Sequence, residues 1–299
     1  MTARLLRDLN ELEQAGGEGT IQVDGAPLRL TSLSRVWFPD LGITKGDVLR
    51  YYVSVAPAIL RVLADRPLIL VRYPNGIGGK SFHQHDASNA PEGVRAEPVR
   101  GVSDEPRYIG GDLRTLLYTV QLGAISVHAW PSRVSTPDLA DWLTLDLDPQ
   151  PKAPFQRVVD VARLLRDILA VEGLDRVLCK TSGSRGLHIL ARVPQGTTLE
   201  DARQIATRLS EQVAREHPRD ATAARAIADR GAATVYVDPG QNAPGKSVAA
   251  AYSVRSRPGA TVSTPLDWEE VTHRLDPGAF TVATVPDRLA QGGDLWRKW

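Results

Sequence analysis

The chain has 299 residues, 42% hydrophobic and 24% charged, with a net charge of +1. That length supports one large core or two lobes sharing a cleft, and the near-neutral balance excludes a strongly basic nucleic-acid binder while leaving room for a local cationic patch. No stretch approaches the roughly 20 apolar residues that span a bilayer, the N-terminus lacks the apolar core of a secretory signal, and the single Cys179 permits no internal disulfide, so a cytoplasmic protein without a membrane partner is expected.

The first residues read as a short amphipathic helix, and residues 15–20 (Ala-Gly-Gly-Glu-Gly-Thr) as a flexible joint. Ile21–Val23 and Leu28–Leu30 flank Asp-Gly-Ala-Pro, which predicts a hairpin. Thr44 with Asp47 forms a capping-box pattern opening a helix to about Leu63, with a kink expected at Pro57. A strand at Leu68–Tyr73 and a helix at Asp112–Leu122, stopped by Gly123, follow. Trp142–Pro149 reads as a strand, and Val158, Val161, Leu165 and Ile168 form the stripe of a helix ending near Gly173. Strands at Arg176–Lys180 and Leu187–Val193 flank a Gly-rich turn at Ser182–Gly186. Thr198 with Asp201 caps a helix to about His217, and a strand at Ala233–Asp238 completes the set. This order lacks strict alternation and predicts an α+β fold in a single domain over residues 1–299.

Four places carry candidate chemistry. On the strand Trp142–Pro149, period-two alternation puts Leu143, Leu145 and Leu147 on one face and Asp146 and Asp148 on the other, roughly 7 Å apart. Two acids at the end of an apolar strand fit a divalent cation, or simply a solvated turn. The turn Thr181–His188 exposes successive backbone N–H groups as an anion nest, with Ser182 and Arg185 as further donors and His188 alternating away from the core; a plain hairpin is the alternative. Asp238 lies opposite Val235 and Val237 on its strand, as a third carboxylate or as a turn residue before Pro239-Gly240. The segment 238–257 carries Gln241, Asn242, Lys246, Arg255 and Arg257, suited to a triphosphate or to solvent. Taken together they form the parts list of phosphoryl transfer. The chain has no Gly-x-Ser-x-Gly elbow and no zinc spacing.

The Asp-Leu-Asp strand, the Ser-Gly-Ser-Arg-Gly-Leu-His turn and the later Val-Asp strand resemble the archaeo-eukaryotic primase superfamily, and within it the polymerase domain of bacterial ligase D, which acts in non-homologous end joining. The stretches Ser34–Arg50, Arg72–Gly76, Leu122–Trp130, Ala251–Arg255 and the run from Ser263 to Trp268 share the likeness, which covers residues 28–290; residues 1–27 form an N-terminal extension and the start of the hairpin. The resemblance implies a primase-polymerase core whose mixed and antiparallel sheets flank an active-site cleft, with helices outside. It implies that Asp146, Asp148 and Asp238 bind two divalent ions, Mn2+ or Mg2+, and that His128, Ser182, Arg185, His188, Lys246 and Arg255 surround a nucleoside triphosphate. It further implies a monomer that extends a primer on gapped or end-containing duplex DNA with NTPs or dNTPs, able to add ribonucleotides, alongside a separate DNA ligase and an end-binding protein.

Two departures bear on DNA. The family's 5′-phosphate anchor of Asn, Lys and Lys falls here on Ser32, Arg35 and Lys45. The family's template-stacking Phe-Phe pair falls on Phe82 and His83, and the segment Arg100–Tyr108, at the place of the end-bridging loop, is short. With no ligase or nuclease module in the sequence, a stand-alone polymerase is expected. A non-catalytic DNA-end-binding scaffold of the same fold, or a metal-dependent phosphoesterase, would need no triphosphate cradle.

Overall fold

The computed structural model describes residues 2–297. Helix α1 (Thr2–Gln14) leads into the hairpin of β1 (Gly19–Val23) and β2 (Ala26–Leu30). Its two-residue loop, Asp24 and Gly25, has φ values of 51° and 81°, the pairing expected of Asp-Gly in a tight hairpin. The expected joint at 15–20 is instead an ordered helix stop, in which the Gly17 amide donates to the Leu12 carbonyl (2.9 Å) and the Leu33 amide to the Gly17 carbonyl (3.0 Å). A small hairpin, β3 (Val36–Phe38) and β4 (Ile43–Thr44), precedes α2 (Lys45–Leu63), which opens on the predicted Thr44/Asp47 capping box and runs on through Pro57.

Next come β5 (Leu68–Arg72), β6 (Phe82–Gln84), the hairpin β7 (Ala96–Val99) and β8 (Ser103–Tyr108), α3 (Leu113–Gln121) and β9 (Ala124–Ala129). The C-terminal half supplies β10 (Trp142–Pro149), α4 (Phe155–Val171), β11 (Val177–Thr181), β12 (Leu187–Arg192), α5 (Leu199–Glu216), β13 (Ala221–Thr222), β14 (Val235–Asp238), β15 (Val248–Ala249), β16 (Pro265–Leu266) and α6 (Val285–Gly292).

Two sheets position the site. The larger has strand order β13-β14-β10-β12-β11-β16 and is antiparallel except for β13 against β14. The smaller has order β15-β9-β5-β6, antiparallel throughout. Period-two alternation divides the larger sheet cleanly. Leu143, Leu145, Leu147, Leu187, Ile189, Val235 and Val237 face α4 and α5 in one core. Burying each Leu or Ile there contributes about 1.5–3 kcal/mol. The opposite face starts apolar, with Leu190 joining the core of α2, α3 and the smaller sheet, and turns polar toward Asp146. This is the α+β architecture the sequence predicts.

A buried arginine ties the two sheets together. Arg66 is fully buried; its guanidinium stacks on Trp142 at 4.0 Å, pairs with Asp141, and donates to the carbonyls of Trp130 (3.2 Å) and Pro131 (2.7 Å). Burial pushes Arg66 down to about 10, with Asp141 opposing. The end of β9 and the start of β10 are thus held at a fixed separation, which sets where their functional residues meet.

Candidate active site

The registers of β11, β12, β10 and β14 place four functional side chains in one row. Lys180 is opposite His188, His188 is opposite Asp146, and Asp146 is opposite Asp238. Directly paired residues put their Cβ atoms about 4.5–5.5 Å apart on one face. Asp148, two residues along β10, shares that face and lies opposite Tyr236. The Asp146/Asp148 pair and Asp238 therefore converge as predicted.

The acids are placed against their own electrostatics. Burial pushes Asp146 up to about 6, opposed by the positive Lys180 and Arg255. Burial also pushes Asp148 up to about 6, and the negative Asp146 and Asp238 add to it. Oδ1 of Asp146 is buried without a hydrogen-bond donor; His188 Nε2 is 3.3 Å away in a geometry that makes no hydrogen bond. Asp238 instead accepts from the Gly240 amide (2.8 Å), the Tyr236 hydroxyl (3.2 Å) and Gln241 Nε2 (3.3 Å). Among the described residues no three metal-ligating side chains enclose an ion in this arrangement. The donor chemistry nevertheless fits a hard divalent cation: three carboxylates on adjacent strands, one with an orphaned oxygen and two whose ionisation is penalised.

Beside the row, the turn 182–186 is compressed by its glycines. A Cβ on Gly186 would lie 2.0 Å from the Leu147 carbonyl, and Gly183 has φ 68° with Arg255 Cγ 2.4 Å from its missing Cβ. Only glycine permits these approaches. The hydroxyl of Ser182 accepts from the amides of Ser184 (3.1 Å) and Gly186 (3.2 Å), so it shapes the turn from inside, which refines its expected role as a free donor. Arg185 is exposed and reaches back to the carbonyls of Pro149 (3.5 Å) and Gln150 (3.3 Å). Arg255, its amide bonded to the Thr261 carbonyl (2.7 Å), sends its charge among Asp146, His128, Lys180 and His188. Burial first, then these cations, holds His128 and His188 well below the usual histidine range. His128 arrives from β9 of the smaller sheet, so the two sheets face each other across the acids.

A family model described as the LigD primase-polymerase domain matches residues 44–296. The chain belongs to the LigD primase-polymerase family. It is 30% identical over 282 residues to the multifunctional non-homologous end joining protein LigD of Pseudomonas aeruginosa, covering 93% of this chain and 33% of that protein. It is 32% identical over 278 residues to the LigD of Mycobacterium tuberculosis, covering 89% of this chain and 36% of that protein. The chain thus spans about a third of the length of these relatives. Its structure is similar to the polymerase domain of M. tuberculosis ligase D in complex with DNA, with a TM-score of 0.84 and 31% identity over 91% of this chain and 97% of that one.

Within this LigD-type domain, the three residues expected at a DNA 5′-phosphate do come together. The Arg35 amide donates to the Ser32 carbonyl (3.0 Å), and the Lys45 amide to the Arg35 carbonyl (2.8 Å). Ser32 sits at φ 58°, a left-handed conformation that suits Asn better than Ser. Arg35 is exposed and donates to the Pro74 carbonyl (2.9 Å) and Asn75 Oδ1 (3.0 Å). Lys45 is 5% exposed; Nζ donates to the carbonyls of Thr31 (2.8 Å) and Gln121 (2.9 Å), leaving one hydrogen free. Burial, then Arg35 and Arg72, lowers it to about 8.

Phe82 and His83 do not form one platform. Phe82 is opposite Arg72 and lies under its guanidinium at 4.9 Å, toward the Lys45 cluster. His83 is opposite Val71, on the face that carries His128. The short segment at 100–108 forms the tip and return strand of the β7–β8 hairpin.

Lys246 lines an open cleft of about 600 Å3 with Arg203, Arg225, Arg230, Tyr236 and Asp238. Of the two further residues here, Asn242, grouped by the sequence with the triphosphate segment, proves structural, and Lys180 escaped the site assignment from sequence. Asn242, fully buried, accepts from the Thr144 amide and donates to its carbonyl (both 2.7 Å), pinning the 239–247 loop to β10. Lys180 was legible only as a polar residue alternating with Cys179 on an otherwise apolar strand.

Proposed function

We propose that this chain is a template-directed nucleotidyltransferase that extends a primer 3′ end at a gap or broken end of duplex DNA. The observation that carries this reading is the single register row of His188, Asp146 and Asp238, facing His128 and Arg255 across the sheets. Asp146, Asp148 and Asp238 would hold two divalent cations, Mn2+ or Mg2+, which when bound lower the pKa of an attacking hydroxyl and neutralise a leaving pyrophosphate.

The protein's own groups supply position and charge. The 182–186 turn closes on itself, the amides of Ser182, Ser184 and Gly186 being bonded within it, and Arg185, Arg255, His128, His188 and Lys246 supply donors for a triphosphate. Arg35, Lys45 and Ser32 offer a cationic pocket to a 5′-phosphate downstream of the gap. The Lys246 cleft ends at Asp238 and gives the primer strand a basic approach to the acids. Ribonucleotides as well as deoxyribonucleotides are accepted in this reading, and the remaining nick passes to a separate ligase.

The test is primer extension on a gapped duplex with labelled nucleoside triphosphate and Mn2+. Incorporation by the wild type and its loss in Asp146→Asn support the reading. Binding of the duplex without incorporation assigns a scaffold instead, and shortening of the primer assigns a phosphoesterase.

A further inference from the structure

We propose that Tyr252 and Asp294 are positioning residues for Arg255: a latch between their side chains holds a strained stretch of backbone that delivers the Arg255 guanidinium to the acid row. The action of Arg255 on a triphosphate rests on the polymerase reading above; the latch itself does not.

Tyr252 is 3% exposed and has φ 68°, in the left-handed region. That conformation is unfavourable for a bulky side chain and persists only where the surroundings over-determine it. Three hydrogen bonds do so here. The Tyr252 amide donates to the Ser263 carbonyl (2.7 Å), and its carbonyl accepts from the Tyr51 hydroxyl (2.8 Å). Its own hydroxyl donates to Asp294 Oδ1 (2.7 Å). Burial pushes that hydroxyl up, and the bond to Asp294 adds to the shift, so it stays a donor.

Asp294 follows α6, and its side chain is 6% exposed. The carboxylate also pairs with Arg61 of α2 and accepts from the Trp296 amide (3.0 Å). A buried carboxylate needs such donors. One group thus fastens the segment after α6 both to α2 and to the strained residue.

The strained residue decides where Arg255 goes. Directly after it, Ser253 Oγ accepts from the Val127 amide of β9 (2.8 Å), and the Val254 amide donates to the Tyr52 hydroxyl (3.1 Å). The Arg255 amide then bonds the Thr261 carbonyl (2.7 Å), and Ala260, which closes the same loop, is also left-handed at φ 46°. Thr261 Oγ1 donates to the Gly183 carbonyl (2.6 Å), and Gly183 has no Cβ to block the Arg255 side chain running past it. The guanidinium there favours the ionised form of Asp146. A Tyr252 relaxed to negative φ would turn the chain away from the Val127 amide and carry Arg255 off this path.

The test uses the full chain and the variants Tyr252→Phe, Asp294→Ala and Asp294→Asn. Without metal or nucleotide, amide hydrogen exchange at residues 252–255 speeds up about ten-fold in Tyr252→Phe and Asp294→Ala, while exchange in α4 is unchanged. With Mn2+, the Kd of a labelled nucleoside triphosphate rises about ten-fold in both. Asp294→Asn, which keeps an acceptor for the hydroxyl, recovers part of each effect. The losses do not add to that of Arg255→Ala, because the latch acts through Arg255. A folded Tyr252→Phe with unchanged exchange, or a loss that adds fully to Arg255→Ala, overturns the proposal. If Asp294→Ala does not fold, Tyr252→Phe decides alone. If exchange responds as expected but the wild type neither binds nor incorporates nucleotide, the polymerase reading fails and the latch stands.

Discussion

Asp146 and Asp238 stand directly opposite each other on antiparallel neighbours, a cross-strand pair of like charges that no structural purpose explains. Such pairs are destabilising, and here burial adds to the repulsion by pushing Asp146 up to about 6. A divalent cation held there, as proposed, would remove that cost.

The first prediction follows from that cost. Asp146→Asn removes a buried carboxylate whose oxygen lacks a donor, so at about pH 7.5 and without divalent cations the variant is more stable than the wild type by about 1–3 kcal/mol. Thermal denaturation measures it. A lower melting temperature for the variant would contradict the assignment of Asp146 as electrostatically strained.

The same shift fixes a pH window. A carboxyl raised in the folded state is favoured there in its protonated form, so its cost is absent below the unfolded carboxyl range and grows as pH rises toward 6. Added Mn2+, held by the ionised acids as proposed, would recover that loss. The melting temperature therefore rises with Mn2+ at about pH 7.5 and little at about pH 5, because protons and cation compete for the same oxygens. An equal shift at both values would place the cation elsewhere.

The acids were legible in the sequence because a strand imposes period two: Leu143, Leu145 and Leu147 named the core face, and Asp146 and Asp148 followed. Helix starts were equally readable, since the Thr44/Asp47 and Thr198/Asp201 boxes are local chemistry. Cross-strand register is not local. Nothing near Lys180 announces that it stands in the row of Asp146, and nothing near Asn242 announces Thr144, 98 residues away. The two-residue strand β15 offers too few alternations to read, and its place is fixed by pairing with β9.

Gly186 shows how tightly the turn is specified. A methyl group there meets the Leu147 carbonyl at 2.0 Å, and a backbone atom cannot yield as a side chain can. Gly186→Ala therefore displaces the turn from β10, raises KM for nucleoside triphosphate at least ten-fold by misplacing its donors, and costs about 1–3 kcal/mol of stability. Nucleotide titration beside a melting curve checks both halves.

Lys45 offers a second pH signature. With its ammonium lowered to about 8, it is cationic below that value and neutral above it. Preference for a 5′-phosphorylated gap over a 5′-hydroxyl gap should decline as pH rises from about 7 to 9, whereas Arg35 keeps its charge throughout. In Lys45→Met the preference is weaker and flat with pH. In Arg35→Ala it is weaker and still declines. A Lys45→Met protein with the full preference would move the phosphate pocket away from Thr31 and Gln121.

The opposed directions of Phe82 and His83 separate two functions that a single stacking pair would share. Phe82 lies against Arg72, whose guanidinium also donates to Gln84 (2.7 Å) and the Leu122 carbonyl (2.6 Å) beside Lys45. Phe82→Ala should loosen that guanidinium and weaken discrimination for the 5′-phosphate, with little change in KM for nucleotide on an ungapped primer-template. His83 faces His128, so His83→Ala should act on the templating base and nucleotide, with about 1–3 kcal/mol lost if a base stacks on the ring. Measuring both variants on gapped and ungapped substrates distinguishes the cases: two faces give crossed effects, whereas one shared platform would make both substitutions weaken the same step.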